Sequence, residues 1–214
     1  MVDMMPRELY NADFNRSAET QLSSGAGNLF AKIFDFERTA GSITPVKNET
    51  LSSGQIDSMN VPVNWIERPP VRLQAGAGLI EYHAPNDSDV RLNSYYRGNR
   101  ISEEGAKAFK KCLADATHEI AKGSKELASL SEVLDGKTRN FNISKAFTDE
   151  LNGKKVLIVE GSYKDAEHTT SRTVFIDSDG SGSAIQELAY SAPGASYKAH
   201  LPEAERSIKS IKWK

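Results

Sequence analysis

The run Val174-Phe175-Ile176 and the segment Ala184–Tyr190 are separated by Asp179-Gly180-Ser181-Gly182, and this arrangement constrains the fold more than any other feature of the chain. Glycine supplies the positive φ that a tight loop needs, so the two segments read as the arms of a hairpin. A third apolar run, Val156-Leu157-Ile158-Val159 within Lys155–Tyr163, precedes them. Upstream, Leu79–His83 and Val90–Tyr96 are joined by Ala84-Pro85-Asn86-Asp87-Ser88-Asp89, a stretch dense in turn formers. Strands connected by such short loops pair antiparallel, because parallel neighbours need a long crossover. In the second strand Val90, Leu92 and Tyr96 share one face while Arg91, Asn93 and Tyr95 share the other, which implies one buried and one more polar face. Val61-Pro62-Val63-Asn64-Trp65 reads as an edge or lead-in strand, since Pro62 removes a ladder donor.

Helical periodicity appears in three places. Ser102 is placed to cap a helix over about residues 102–121, with Glu103 and Glu104 in its first turn and Phe109, Leu113, Ala116 and Ile120 along one stripe. A second pattern over 124–135 carries Leu127, Leu130 and Leu134, and Gly136 is placed to end it. A third over 202–212 has Pro202 in its first turn and Ile208 and Ile211 on its apolar side. The expected fold class is therefore α+β, an antiparallel sheet packed with helices, in a single domain over residues 56–214. Its expected core contains Leu92, Tyr96, Phe109, Leu113, Val156, Ile158, Phe175, Leu188, Ile208 and Ile211.

Residues 1–55 differ in texture. They are rich in Ser, Thr, Gly and Asn and hold one apolar cluster, Leu29-Phe30-Ala31-Lys32-Ile33-Phe34-Asp35-Phe36. They read as an N-terminal arm with one short ordered element. Phe30, Ile33 and Phe34 fall at i, i+3 and i+4, so a short amphipathic helix would present them together, either to the domain or to a partner.

At 214 residues, with 38% hydrophobic and 26% charged, the chain has enough apolar material for a core and too little length for two comfortable domains. A net charge of −2 with interleaved signs gives no electrostatic footprint for nucleic acid. No stretch approaches the 18 or so apolar residues of a membrane span, so no membrane insertion is expected. The single Cys112 has no partner for a disulfide, and the start of the chain lacks the apolar core of a secretory signal, which together suggest a cytoplasmic location. Sequons at Asn15, Asn48, Asn86 and Asn142 are then chance matches.

Chemical motifs are weak. His83, His118, His168 and His200 show no i, i+4 pairing and no His-Glu-x-x-His string. His83 with Asp87 and Asp89 reads as a solvated turn. Asp177-x-Asp179-Gly180-x-Gly182 resembles the start of a calcium loop, but its twelfth position is Leu188, where such a loop needs a bidentate glutamate, so a hairpin turn is expected and no metal. There is no Gly-x-Ser-x-Gly elbow, no dinucleotide fingerprint around Gly76 and Gly78, and no phosphate-binding loop, so no cofactor is expected. Cys112 sits on the Phe109–Ala116 helix face as a small core thiol. The segment Ser94-Tyr95-Tyr96-Arg97-Gly98-Asn99-Arg100 has the composition of a binding hot spot: one tyrosine of the adjacent pair faces out, near Arg97 and Arg100. The bland alternative is a strand end whose arginines pair with Glu103 and Glu104.

The C-terminal half carries a family cadence. Lys155–Tyr163, then Val174-Phe175-Ile176-Asp177-Ser178-Asp179-Gly180, then Ile185–Pro193 with Tyr190-Ser191-Ala192-Pro193 at its end, lead to Ala204–Trp213. This resembles the PsbP-like/Mog-type superfamily, in which helices sandwich an antiparallel sheet, a strand ending in Tyr-x-Ala-Pro leads to the last helix, and that helix closes on a Ser-Ile-x-Trp-like end. Val61 to Trp65 resembles its opening strand, so the likeness spans about residues 59–213. Members include photosystem II accessory proteins, Ran-binding nuclear import factors and bacterial effector chaperones. The resemblance implies a non-catalytic binding, assembly or adaptor role with a protein partner, and transfers no functional residue. The alternative from the residues alone is a small-ligand-binding protein or hydrolase whose site is assembled from scattered positions. The candidate partner-binding residues are Phe30, Ile33, Phe34, Tyr95, Arg97 and Arg100.

Overall fold

Strand pairing begins with β1 (Ile43–Lys47) and β2 (Ile56–Pro62), antiparallel, with Ile43 opposite Pro62 and Lys47 opposite Ser58. The computed structural model describes residues 43–47, 54–72, 77–99, 101–135, 140–164 and 168–214, all within the compact unit Gly41–Lys214. The chain continues through β3 (Ile66–Glu67), β4 (Val71–Arg72), β5 (Gly78–Ala84) and β6 (Asp87–Asn99). Helices α1 (Glu103–Ala114) and α2 (Lys125–Ser129) follow. Then come β7 (Phe141–Leu151), β8 (Lys154–Tyr163), β9 (Thr170–Asp177), β10 (Ala184–Ala192), helix α3 (Gly194–Lys209) and β11 (Lys212–Trp213).

An eight-stranded sheet runs β3-β5-β6-β10-β9-β8-β7, with β4 also on β5, and a three-stranded sheet runs β1-β2-β11. Every pairing is antiparallel. Residues opposite one another in register point to the same face. Tyr82, Leu92 and Tyr190 are such a row, and with Ile158, Val174 and Leu188 they meet Ile56, Met59, Val61 and Trp65 from the small sheet and its exit. Tyr197, Ala204 and Ile208 of α3 close this first core. On the opposite face Leu157, Val159, Phe175 and Ile185 meet Phe109 and Cys112 of α1, with Leu130, Val133 and Leu134 beyond α2. The large sheet is thus the middle layer, with apolar surface buried on both sides, and the fold is α+β as expected.

Several elements differ from the sequence expectation. Helix α1 starts at the Ser102 cap, whose side chain accepts from the Gly105 amide, but it stops at Ala114. Residues 115–122 leave the helix because the sheet edge offers their backbone other partners: Ile120 N donates to Ala146 O at 2.8 Å, and His118 O accepts from Thr148 N at 2.9 Å. The 124–135 helix is one short α segment followed by turns, ending at Asp135 with φ 23°. Leu130 and Leu134 are nevertheless buried, so the apolar stripe fills its place without a continuous helix. Helix α3 begins at Gly194 and carries Pro202 inside it, while Lys212, expected at the end of the helix, opens the strand Lys212–Trp213. β2 ends at Pro62, and Val63 and Asn64 form a turn instead of the expected strand. Within the segment read as arm, Ile43–Lys47 pairs as β1. β7 has no counterpart among the expected strands. Tyr96 and Leu113 are half-buried, whereas the other eight expected core residues are buried. Among the described residues, no helix is long and apolar enough to cross a membrane.

Candidate functional site

One edge of the large sheet is formed by β7. β7 pairs with β8 along one side only, and among the described residues its outer side is met by the short strap 115–122. Edge strands present unpaired amides and carbonyls, which makes them templates for another strand. The β7 sequence suits an edge, because Asn142, Ser144, Lys145, Asp149 and Glu150 are all exposed. Its register slips between Ile143 and Lys145, a bulge that leaves Ser144 as the extra residue. Ser144 Oγ donates to Glu160 O at 3.1 Å and ties the bulge to β8.

A groove of about 280 Å³ adjoins this edge, lined by Leu127, Ala128, Leu134, Phe141 and Ile143, with Lys122 also on its lining. Lys122 Nζ donates to Asn142 Oδ1 at 2.9 Å, so the strap and β7 are linked at the groove. A second hollow, lined by Glu119, Ile120, Ser144 and Lys145, lies along the same strap and strand. Phe141 is placed over Gly161 of β8, where a Cβ would strike the ring and the Asn142 carbonyl, and stacks edge-on against Tyr163 at 4.8 Å. The groove wall is therefore a fixed aromatic surface.

The strap is held by a small polar cluster. His118 N donates to Thr148 Oγ1 at 3.0 Å. The imidazole Nδ1 is 2.8 Å from Ala116 O, and Nε2 is 2.8 Å from Glu126 Oε1. These contacts, led by the bond to Glu126, push the His118 pKa above its ordinary value. Glu126 also accepts from Cys112, whose thiol burial pushes up to about 12, Glu126 and Asp115 adding to it.

The residues singled out in the sequence are dispersed. Phe30, Ile33, Phe34 and Arg100 lie outside the described residues. Tyr95 and Tyr96 are both half-buried, so the expectation of one core and one exposed ring is corrected. Arg97 is buried at 3% exposure and points inward. Its Nε donates to Glu187, its Nη2 to Val133 O and its Nη1 to Glu132 O at 3.2 Å, with Asp135 at 3.8 Å and the Phe175 ring beneath it at 5.7 Å. Its acidic partner is Glu187 of β10, and Glu103 pairs instead with Lys107 on its own helix. Arg97 is a structural cation that ties the 132–135 turns to the sheet.

The other motifs settle into local structure. Asp177 Oδ1 accepts from the Gly180 and Gly182 amides at 3.0 and 3.1 Å, and Asp179 Oδ1 accepts from Ser181 N and Oγ. Burial raises the Asp177 pKa; burial works against the Asp179 charge too, but the Ser181 bonds outweigh it and hold that carboxyl low. The loop needs Gly182 at φ 81°, where it lies against the Ala106 carbonyl of α1. Asp87 and Asp89 turn onto the Asp89 amide, Ser196 and Arg91, away from any shared centre with His83. No group of three or more His, Cys, Asp or Glu among the described residues is arranged to hold a metal ion. Tyr82, Tyr190 and Tyr197 titrate well above the ordinary tyrosine range, chiefly through burial, and all three belong to the first core, with Tyr190 Oη donating to Tyr197 O at 2.8 Å. Their shifts report packing. The two exposed large apolar side chains among the described residues, Val63 and Ile66, flank the buried Trp65.

Neither a family model nor a curated protein matches this chain. It is similar in fold to the solved cyanobacterial PsbP (CyanoP) of Synechocystis sp. PCC 6803, with a TM-score of 0.46 and 11% identity over 84% of this chain and 96% of that one. It is also similar to LpqN of Mycobacterium tuberculosis, a protein described as involved in cell envelope biogenesis, with a TM-score of 0.44 and 21% identity over 81% of this chain and 91% of that one.

Proposed function

We propose that this chain is a non-catalytic binding or assembly protein working through protein contacts, and that the β7 edge with its groove is where a partner strand docks. One observation carries this reading: a long edge strand lies beside an apolar groove, with its outer side covered by a single strap among the described residues. Strand addition takes its affinity from backbone hydrogen bonds and its specificity from side-chain pockets beside the edge, and this site offers both. The groove is of the size that takes one or two apolar side chains of a partner.

The test uses the full chain as bait in native lysate, alongside an Ala128→Trp variant. Ala128 is exposed and lines the groove, so a large ring there fills the pocket without entering the core. The expected result is a captured partner that Ala128→Trp loses while the melting temperature is unchanged. A partner retained by Ala128→Trp and also by an Ile143→Lys variant overturns the β7 edge as the docking site.

A further inference from the structure

We propose that the strap 115–122 is a proton-operated cover on the outer edge of β7, with His118 as its latch. The inference rests in part on reading that edge as a docking site, but the latch itself stands on local geometry. Both ring nitrogens of His118 face acceptors: the Ala116 carbonyl at Nδ1 and the Glu126 carboxylate at Nε2, each at 2.8 Å. A neutral imidazole has one N–H and one lone pair, so it satisfies only one of these oxygens. The doubly protonated ring satisfies both. The Thr148 hydroxyl, 3.2 Å from Nδ1, is a neutral third neighbour that also accepts from the His118 amide.

The latch acts on the backbone that covers the sheet. The His118 carbonyl accepts from Thr148 N, and two residues later Ile120 N donates to Ala146 O. Ile120 is buried in the second core, so strap and sheet are also held by packing. When the proton leaves, a lone pair faces an oxygen across one of the 2.8 Å contacts and the hold on the strap weakens. The Ala146 carbonyl and the Thr148 amide are then available to an incoming strand, whose pairing replaces the two bonds the strap gives up.

The charged groups that act on the ring are Glu126 from α2 and Asp115 from the end of α1; Glu119 follows His118 in the strap, the Cys112 thiol of α1 bonds the same Glu126, and Lys155 of β8 lies at the Asp115 carbonyl. Lys155 Nζ donates to the Ala114 and Asp115 carbonyls at 3.2 and 2.5 Å and anchors the start of the strap. Both of the acids that act on the ring favour the imidazolium. The folded pKa lies above the ordinary 6.5, so the latch is fully closed below that value and is lost as pH rises through the folded pKa. The cover is shut in mildly acidic solution and loosens toward alkaline pH.

The experiment is amide hydrogen exchange by NMR on the full chain, expressed as protection factors so that the intrinsic pH dependence cancels, in a pH series from about 6 to about 9 that crosses the imidazole range. Protection of the Thr148 and Ile120 amides is expected to fall roughly twofold to fivefold at the higher pH, the range of one partly exposed ion pair. The inner ladder at Val174 keeps its protection. In Glu126→Gln, which retains an oxygen acceptor but removes the charge, the fall is expected at lower pH. Unchanged protection in the wild-type chain overturns the latch, as does a fall at the same pH in both proteins. No partner enters this measurement, so its failure is separable from failure of the docking test.

Discussion

Replacing Arg97 by methionine tests whether the cation is structural or offered to a partner. Methionine keeps an unbranched apolar chain in place of the stem but removes every donor of the guanidinium, which lies over Phe175. Glu187 is then left at 12% side-chain exposure without its cation, and the Glu132 and Val133 carbonyls lose their donors. Breaking a buried pair from one side costs about 3–5 kcal/mol, a large part of the roughly 5–15 kcal/mol that holds a domain folded. Replacing the acid as well, in Arg97→Met/Glu187→Leu, removes the orphaned charge and is expected to recover at least about half of that loss, since apolar substitutes for buried pairs are often close to neutral. Urea unfolding followed by tryptophan fluorescence reads both, because Trp65 is buried and Trp213 is half-buried in the described unit. A loss below about 1 kcal/mol for Arg97→Met, the level of an exposed ion pair, refutes the argument and returns Arg97 to the surface.

Phe109→Ala is expected to cost about 3–5 kcal/mol by urea unfolding, because Phe109 has no exposed surface and sits at the centre of the second core. Leu113→Ala, four residues on but half-buried, should cost distinctly less, and equal losses would contradict the packing described. Cys112 should resist a thiol reagent at about pH 8 in the native protein and react fully in urea, because its thiol titrates near 12 and is 2% exposed. Rapid native labelling would show that α1 does not seal it.

How much of this was legible depended on whether a residue's environment is set by its neighbours in sequence or by register with distant ones. The β5–β6 and β9–β10 hairpins were visible because their turn residues and alternation are local, and Val90 and Leu92 are buried on the expected face while Tyr96, placed with them, is half-buried. β7 was not visible because its bulge at Ser144 breaks the alternation, and Ala146 and Thr148, buried within it, carry little apolar signal. One clue was available: Asn152-Gly153 between β7 and β8, with φ 49° and 82°, is the two-residue loop that most favours a hairpin. The surroundings of Arg97 were hidden for a different reason. Its partner Glu187 stands opposite Tyr95, ninety residues away in sequence, and only the β6–β10 register brings them together. The β7 edge and the His118 cluster share that origin, since the strap binds Thr148 across thirty residues.

The small sheet places an order on how the chain can be completed. β2 takes β1 on one side from a few residues upstream, but on the other it takes Lys212 and Trp213, and Lys214 N reaches back to Gln55 O. Asn60 N likewise finds its acceptor in Ser210 Oγ, 150 residues later. During synthesis the whole eight-stranded sheet has emerged before β2 receives this second neighbour. Until then one side of β2, and the face of the large sheet that α3 covers, lack these partners among the described residues. Contacts this distant are slow to close and leave apolar surface open while they wait. Newly made chains therefore expose this apolar surface in the interval between the emergence of β10 and the seating of Trp213.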